Sequence, residues 1–264
     1  MAGTYLDTIV DAHRARAGRD HRDWRARLGS VTYDGPAFGD ALRRDPHHVA
    51  VIAEIKRRSP SKGWIGEDLD PATLATEYVE GAASAISVLT DVDFFSGSPA
   101  DLETVAATVE VPLLRKDFTV SENDVIDAAQ MGAAAVLLIV AALSDEEITS
   151  FLDVARHCLL DALVEVHDEQ EARRAIDLGA DIVGVNQRDL RTFEVDAHRA
   201  GRVIAHLAPD VIAVAESGLE SVRDVTNVAR VGADAVLVGE AFVRAEAPRA
   251  LVHDFAAVER RPRG

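Results

Sequence analysis

The chain has 264 residues, and its 28 Lys plus Arg against 45 Asp plus Glu leave a net charge of -17. An excess of that sign argues against nucleic acid or an anionic membrane as a partner, so any anionic ligand needs a locally positive pocket. A hydrophobic fraction of 48% without a long low-complexity stretch predicts a soluble globular chain with a sizeable core, and its length suits one domain of α/β-barrel size.

At the N-terminus, Tyr5, Leu6, Ile9 and Val10 are interrupted by Asp7, Thr8 and Asp11, the pattern of a helical face and not of a signal-peptide core. Cys158 is the only cysteine, which excludes an internal disulfide and a multi-cysteine metal site. The longest apolar run, Ala133 to Leu143, is far short of the roughly 20 residues of a membrane span. A cytoplasmic protein is expected. Residues 1–48, Arg-rich from His13 to Arg27, read as a helical extension preceding a domain of residues 49–264. The extension either plugs the bottom of that domain or lies over its mouth.

Four segments repeat one pattern, a helical stretch ending in Gly-Ala followed by a Val, Ile and Leu run, at Gly81, Gly132, Gly179 and Gly232. Glycine suits the left-handed position that closes a helix, and a continuous apolar run suits a strand buried on both faces. Other strands are predicted at Val49–Ile55, Val111–Leu114, Ala162–Val166 and Val211–Ala215. Helical patterns between strands include Pro71–Glu80, Glu122–Met131, Asp145–His157, Glu169–Leu178 and Ser221–Val231. Eight strands alternating with helices over about 215 residues predict a single (β/α)8 TIM barrel with an N-terminal helical extension. No Gly-x-Gly-x-x-Gly follows the first strand, which weakens a dinucleotide-binding reading.

In such a barrel the site lies where strands end. The first strand ends Glu54-Ile55-Lys56, two ionisable residues on one face; facing inward they form a buried pair, either a structural ion pair or part of a site. The third runs into Lys116, a candidate general acid if its pKa is lowered by neighbouring cations or a dry pocket, and otherwise a surface lysine. The fifth ends Glu165-Val166-His167, and Glu165 is a candidate base to pair with Lys116. Glu-x-His alone is a weak metal signal, and no metal is expected. The sixth supplies Asn186 and Arg188; the guanidinium either forks onto a carboxylate or phosphate or makes a rim salt bridge with Asp189. The last two end in Glu216-Ser217-Gly218 and Gly239-Glu240, where backbone N–H groups commonly hold phosphate. The Glu240 side chain should then point away from the anion.

Taken together, Ala53 to Gly63, Ile86 to Thr90, Phe95 to Ser98, Leu114 to Phe118, Leu163 to His167, Gly184 to Asn186 with Arg188 and Leu190, and Ala215 to Gly218 resemble the motifs of indole-3-glycerol phosphate synthase, in order, from Val49 to Val243. The resemblance implies a lyase of tryptophan biosynthesis that turns 1-(2-carboxyphenylamino)-1-deoxyribulose 5-phosphate into indole-3-glycerol phosphate, carbon dioxide and water, without a cofactor. It implies Glu54, Lys56, Lys116, Glu165 and Asn186 as the catalytic set, with Lys116 the acid on the substrate carbonyl and Glu165 assisting loss of the hydroxyl. Lys56 and Arg188 are implied partners for anionic groups, and Ser59 and Glu216 further substrate contacts. Ser217, Gly218, Gly239 and the Glu240 N–H are implied for the phosphate, with Phe95, Leu137, Leu190 and Leu237 for the aromatic end.

Two segments depart from the family pattern: Ser121 to Asp124 replaces a common Pro-Tyr pair, and Gln187 replaces a common second Asn. Partners are expected to be a phosphorylated small molecule and at most a second copy, as a monomer or weak homodimer. The rival readings are another phosphosugar barrel such as an isomerase, a Schiff-base aldolase using Lys116, and a non-catalytic metabolite-binding barrel.

Overall fold

A computed structural model describes residues 4–189 and 193–263. Eight parallel strands close into one barrel: β1 (Ala50–Ile55), β2 (Ala85–Leu89), β3 (Leu113–Lys116), β4 (Ala135–Ile139), β5 (Asp161–Val166), β6 (Ile182–Asn186), β7 (Ile212–Glu216) and β8 (Ala235–Val238). Three helices precede the barrel, α1 (Tyr5–Ala17), α2 (Trp24–Arg27) and α3 (Phe38–Arg43). Around it follow α4 (Pro71–Glu80), α5 (Pro99–Ala106), α6 (Glu122–Gln130), α7 (Asp145–His157), α8 (Glu169–Asp177), α9 (Arg199–Ile204), α10 (Val222–Arg230), α11 (Glu240–Val243) and α12 (Pro248–Ala256). Among the described residues no helix is long and apolar enough to cross a membrane.

The local chemistry explains the boundaries. Ser121, Ser144, Asp168 and Ser221 each accept a backbone N–H in the first turn of the helix that follows; such a cap stabilises a helix by about 1 kcal/mol. Gly132, Gly179 and Gly232 adopt φ of 85°, 94° and 97°, the left-handed closure expected from the repeat. The first junction differs: Ala82 takes the left-handed position at φ 70°. Gly81 is small for another reason, because a Cβ there would fall 2.6 Å from the Arg249 carbonyl oxygen and 2.8 Å from Val252 Cβ. Cys158 is buried where α7 ends, a packing residue.

Alternation within each strand divides the apolar residues into two layers. Val51, Val88, Val136, Val164 and Val236 face the helices. Ile52, Leu114, Leu163 and Val214 face the barrel axis, and Phe38 and Leu42 of α3 pack with this interior set. Both α3 residues are almost fully buried, each stabilising the fold by roughly 1.5–3 kcal/mol relative to exposure.

The extension thus serves both ends. While α3 fills the bottom, α1 crosses the mouth, with Leu6 and Val10 packed on Val120 and Phe118. His13 Nε2 lies 2.8 Å from Asp91 Oδ2, and Arg14 Nη1 lies 2.6 Å from Glu147 Oε1. Arg14, Arg16, Arg22 and Arg27 of this segment make ion pairs within the chain. Arg22 and Arg27 both bind Asp127, at 2.8 and 2.5 Å, and Arg27 also donates to Asn123 Oδ1. The departure at Ser121 to Asp124 has its explanation here: Ser121 caps α6, while Asn123 anchors the extension and donates to the Arg22 carbonyl at 3.0 Å.

Candidate active site

The interior residues above Ile52, Leu114, Leu163 and Val214 are Glu54, Lys116, Glu165 and Glu216, one from each odd-numbered strand. Barrel interiors are filled by levels of four side chains from alternate strands, and here the uppermost level is wholly ionisable. Glu54, Glu165 and Glu216 are all buried. Lys116 Nζ lies 3.2 Å from Glu165 Oε2 and 3.5 Å from Glu216 Oε2. Lys56 continues the inward face of β1 and is hydrogen-bonded to Glu54 Oε1, the pair expected from their spacing.

Burying charges is costly unless they compensate one another, and the protonation states follow. Burial alone would lower the pKa of Lys116, but Glu165, Glu216 and Glu54 outweigh it and raise it above the ordinary lysine value. The expectation of a lowered lysine is therefore corrected: its neighbours are carboxylates, not cations, and they favour its ammonium form. Burial pushes Glu165 up, but Lys116, His167 and the Asn186 amide hold it below its usual value as a carboxylate. Glu216 goes the other way. Burial and the nearby Glu165 and Glu54 charges overcome Lys116 and lift it to about 8. With Glu216 protonated, the Lys116 ammonium faces the Glu165 carboxylate.

Glycines make room for this level. A Cβ on Gly239 would fall 2.5 Å from Glu54 Oε1, and one on Gly184 would fall 2.0 Å from Glu216 Oε1. Gly239 was expected only to let a phosphate approach; it also houses the Glu54 carboxyl. On β6, Asn186 Nδ2 donates to Glu165 Oε1 at 3.1 Å, and its Oδ1 accepts the Arg188 N–H at 3.0 Å. Arg188 Nη1 donates to the Phe193 carbonyl at 3.2 Å.

One cavity at the mouth unites these groups. It is lined by Glu54, Lys56, Lys116, Glu165, Asn186 and Arg188. Phe95, Leu137 and Leu237 form an apolar wall with Phe118, while Ser59, Glu216, Ser217, Gly218, Gly239 and Glu240 line another part. Leu190 lies outside the described residues. Ser217 and Gly218 both adopt left-handed backbone, φ 66° and 68°. The Glu240 carboxylate lies 3.2 Å from Arg244 Nε and 3.9 Å from Lys62 Nζ.

Sequence reasoning missed several participants. Tyr5, Leu6 and Ile9 of α1 line the cavity; their helical face was legible, its destination was not. Gln187 is buried, and its Nε2 donates to the Ser217 carbonyl at 2.8 Å, tying the β6 loop to the left-handed turn after β7. His167, considered only as a weak metal signal, packs behind Glu165 with Nε2 3.8 Å from Glu165 Oε1.

The chain is similar to known proteins along nearly its whole length. A sequence profile described as "Indole-3-glycerol phosphate synthase" matches residues 6–255. An indole-3-glycerol phosphate synthase of Micrococcus luteus is 46% identical over 259 residues, covering 96% of this chain and 97% of its own. One from Beutenbergia cavernae is 49% identical over 223 residues, covering 84% and 82%. One from Streptomyces griseus is 45% identical over 264 residues, covering 97% and 96%. Among solved structures, a thiamine phosphate pyrophosphorylase from Pyrococcus furiosus aligns with a TM-score of 0.59 at 18% identity, over 78% of this chain and 93% of that one, a likeness of fold alone.

Proposed function

The chain belongs to the indole-3-glycerol phosphate synthase family, and from that premise we propose how its barrel mouth performs the carboxy-lyase reaction. The substrate is 1-(2-carboxyphenylamino)-1-deoxyribulose 5-phosphate. Its phosphate sits at the Ser217–Gly218 turn with the Gly239 and Glu240 backbone, its aromatic ring against Phe95, Leu137 and Leu237, with Leu190 assigned to the same end. Lys56 and Arg188 attract its anionic groups, and Ser59 and Glu216 complete the contacts.

The ring carbon bearing the carboxylate attacks the ribulose carbonyl carbon, forming the new C–C bond, while the carbonyl electron pair moves to oxygen. Lys116 supplies that oxygen with a proton. A raised lysine is a weak acid toward water, but it is always charged, and the alkoxide that forms is more basic than an amine. Loss of carbon dioxide restores the ring electrons. A second proton on the same oxygen lets it leave as water, assisted by Glu165, with Glu54 and Asn186 holding the polar surroundings in place. One proton passes from carbon to the now neutral Lys116 amine as the five-membered ring becomes aromatic. Atoms and electrons balance without an added cofactor.

The observation that carries this reading is the ring of three carboxyls around Lys116, because a site built only to bind a phosphorylated metabolite has no need of a buried acid and base set. Residues 49–264 act as the catalytic barrel and residues 1–48 as an extension serving its two ends. A monomer or weak homodimer in the cytoplasm, without nucleic acid or membrane as partner, fits the net charge of -17 and a small soluble substrate. The test is an assay of the purified protein with this substrate, following indole absorbance. Indole formation that Lys116→Ala abolishes supports the reading; folded protein that forms none overturns it.

A further inference from the structure

Behind Glu165, on the side away from the cavity, stands a histidine that the reaction scheme leaves unused. The His167 backbone N–H donates to Glu171 Oε2 at 2.7 Å, and its ring Nδ1 lies 3.1 Å from the same oxygen. Glu171 is fixed in turn at the start of α8, where its own N–H donates to Asp168 Oδ1 at 2.8 Å. This geometry assigns the Nδ1 proton, since a carboxylate only accepts. The opposite nitrogen, Nε2, is buried without a hydrogen-bond partner among the described residues and faces Glu165 Oε1 across 3.8 Å. In a neutral ring Nε2 carries a lone pair, and a lone pair against a carboxylate is unfavourable. One extra proton between Nε2 and Oε1 removes the conflict.

The proposed reaction needs such a proton. The substrate carboxylate leaves as neutral carbon dioxide, the carbonyl oxygen collects two protons to leave as water, and only one proton returns on aromatisation. One proton per turnover therefore comes from solvent. Lys116 supplies one of the two, and Glu165, held as a carboxylate, has none of its own for the second.

We propose that His167 is a positioning residue that stores this proton, giving it from Nε2 to Glu165 Oε1 during dehydration. The Nε2–H bond breaks and an Oε1–H bond forms; the Glu165 carboxyl protonates the departing hydroxyl, whose C–O bond breaks as water leaves. The ring is left neutral with its Nδ1 proton on Glu171. When product departs and water enters the mouth, Glu165 is protonated from solvent and reloads Nε2. The groups facing the ring are Glu165 from β5, Glu171 from α8 and Arg199 from α9. Burial and Arg199 work against its charge, while Glu171 and Glu165 outweigh them and raise its pKa above the ordinary histidine value.

This inference rests on the reaction proposed above, and its test separates the two. In wild-type protein, kcat should fall as pH rises through the His167 titration. His167→Gln, which fills the space without storing a proton, should lower kcat at pH 8 by about 10- to 100-fold with KM changed less than about 2-fold. Its kcat should recover toward acid pH, where solvent protonates Glu165 directly. Glu171→Gln, at the rim, should keep the ring but move the alkaline limb to lower pH. Nitrogen NMR of the imidazole, read without substrate, should show a proton on Nδ1 and a second on Nε2 at neutral pH. An active wild-type enzyme whose kcat profile is superimposable on that of His167→Gln overturns the store alone, as does a neutral Nε2–H tautomer by NMR. Wild-type protein that forms no indole removes the underlying reaction, and with it the store.

Discussion

The carboxyl of Glu216 occupies the space that a side chain at Gly184 would fill. An ideal Cβ at Gly184 falls 2.0 Å from Glu216 Oε1 and 3.1 Å from Leu163 Cδ1, so neither neighbour leaves room for a methyl group. Gly184→Ala must therefore move a buried acid off its level in the barrel. Overpacking of this kind costs about 1–3 kcal/mol, and the displaced carboxyl disturbs Lys116. The expected outcome is a lower urea midpoint together with a large loss of kcat. Unchanged values of both would mean that Glu216 has free space to turn into.

Glu216 also sets a pH dependence of stability whose sign follows from its raised pKa. Its folded value is about 8 against 4.5 for the free side chain, so between these the native state binds a proton that the unfolded chain has released. Its contribution is complete below pH 4.5 and is lost as pH rises through about 8. Glu216→Gln removes the titration while keeping the shape. Urea midpoints measured from pH 6 to 9 should fall for the wild type relative to the Gln variant, and parallel curves would contradict a titrating Glu216.

Among the described residues, Lys116 is the one ammonium that reaches two of these carboxyls directly. Lys116→Met keeps much of the side-chain volume and removes both the proton and the charge. Turnover should drop by about 10²- to 10⁴-fold, while a phosphorylated substrate analogue still binds, because the Ser217–Gly218 turn is built on other strands. A kcat within a few-fold of wild type would take Lys116 out of the chemistry.

Much of this was legible in the sequence because strand periodicity and barrel architecture act together. Once β1, β3, β5 and β7 were recognised, alternation put Glu54, Lys116, Glu165 and Glu216 inside and at one end. What alternation does not give is the distance between residues on different strands. The pairing of Lys116 with Glu165 is legible, but the direction of the Lys116 shift is not, because Glu216, 100 positions further on, becomes a second carboxyl neighbour only on closure. Gly239 reads as a turn or phosphate residue and Gly184 only as part of the sixth-strand motif, since the side chains they accommodate come from other strands. The extension was undecided because an amphipathic helix shows which face it buries but not against what.

Gln187 illustrates a contact that a departure from pattern concealed. The Gln187 amide N–H donates to the Ser217 carbonyl at 2.8 Å, and Ser217 is a non-glycine residue in left-handed backbone, a conformation that neighbours must hold in place. Gln187→Glu preserves the shape but turns a carboxylate oxygen toward that carbonyl. The turn should relax, raising KM for the substrate and weakening competitive inhibition by inorganic phosphate by about 10-fold or more, in line with a lost buried hydrogen bond. Gln187→Asn should lose less only if the shorter amide still reaches. Phosphate inhibition unchanged in Gln187→Glu would separate the clamp from phosphate binding.

His13 links the extension to two loops that carry pocket residues, those after β2 and β3. Its Nε2 meets Asp91 Oδ2 at 2.8 Å and stands 3.8 Å from Asp117 Oδ1. Asp91 Oδ1 accepts the N–H groups of Phe94 and Phe95, at 2.7 and 2.9 Å, and Asp117 adjoins Lys116 and accepts the Phe118 N–H at 2.8 Å. His13→Ala leaves a buried carboxylate oxygen without its donor, at a cost of about 1–3 kcal/mol. That cost loosens α1 over the mouth, which Leu6, Ile9 and Val10 and the Arg14–Glu147 pair still tether, while the barrel, closed below by α3, stays folded. The expected result is a raised KM and faster proteolysis before residue 20, with the main thermal transition retained. His13→Lys, which supplies a donor of similar reach, should recover much of the KM. Equal KM values in wild type and His13→Ala, with α1 protected from protease in both, would show that the apolar contacts and the Arg14–Glu147 pair hold the helix over the site without His13.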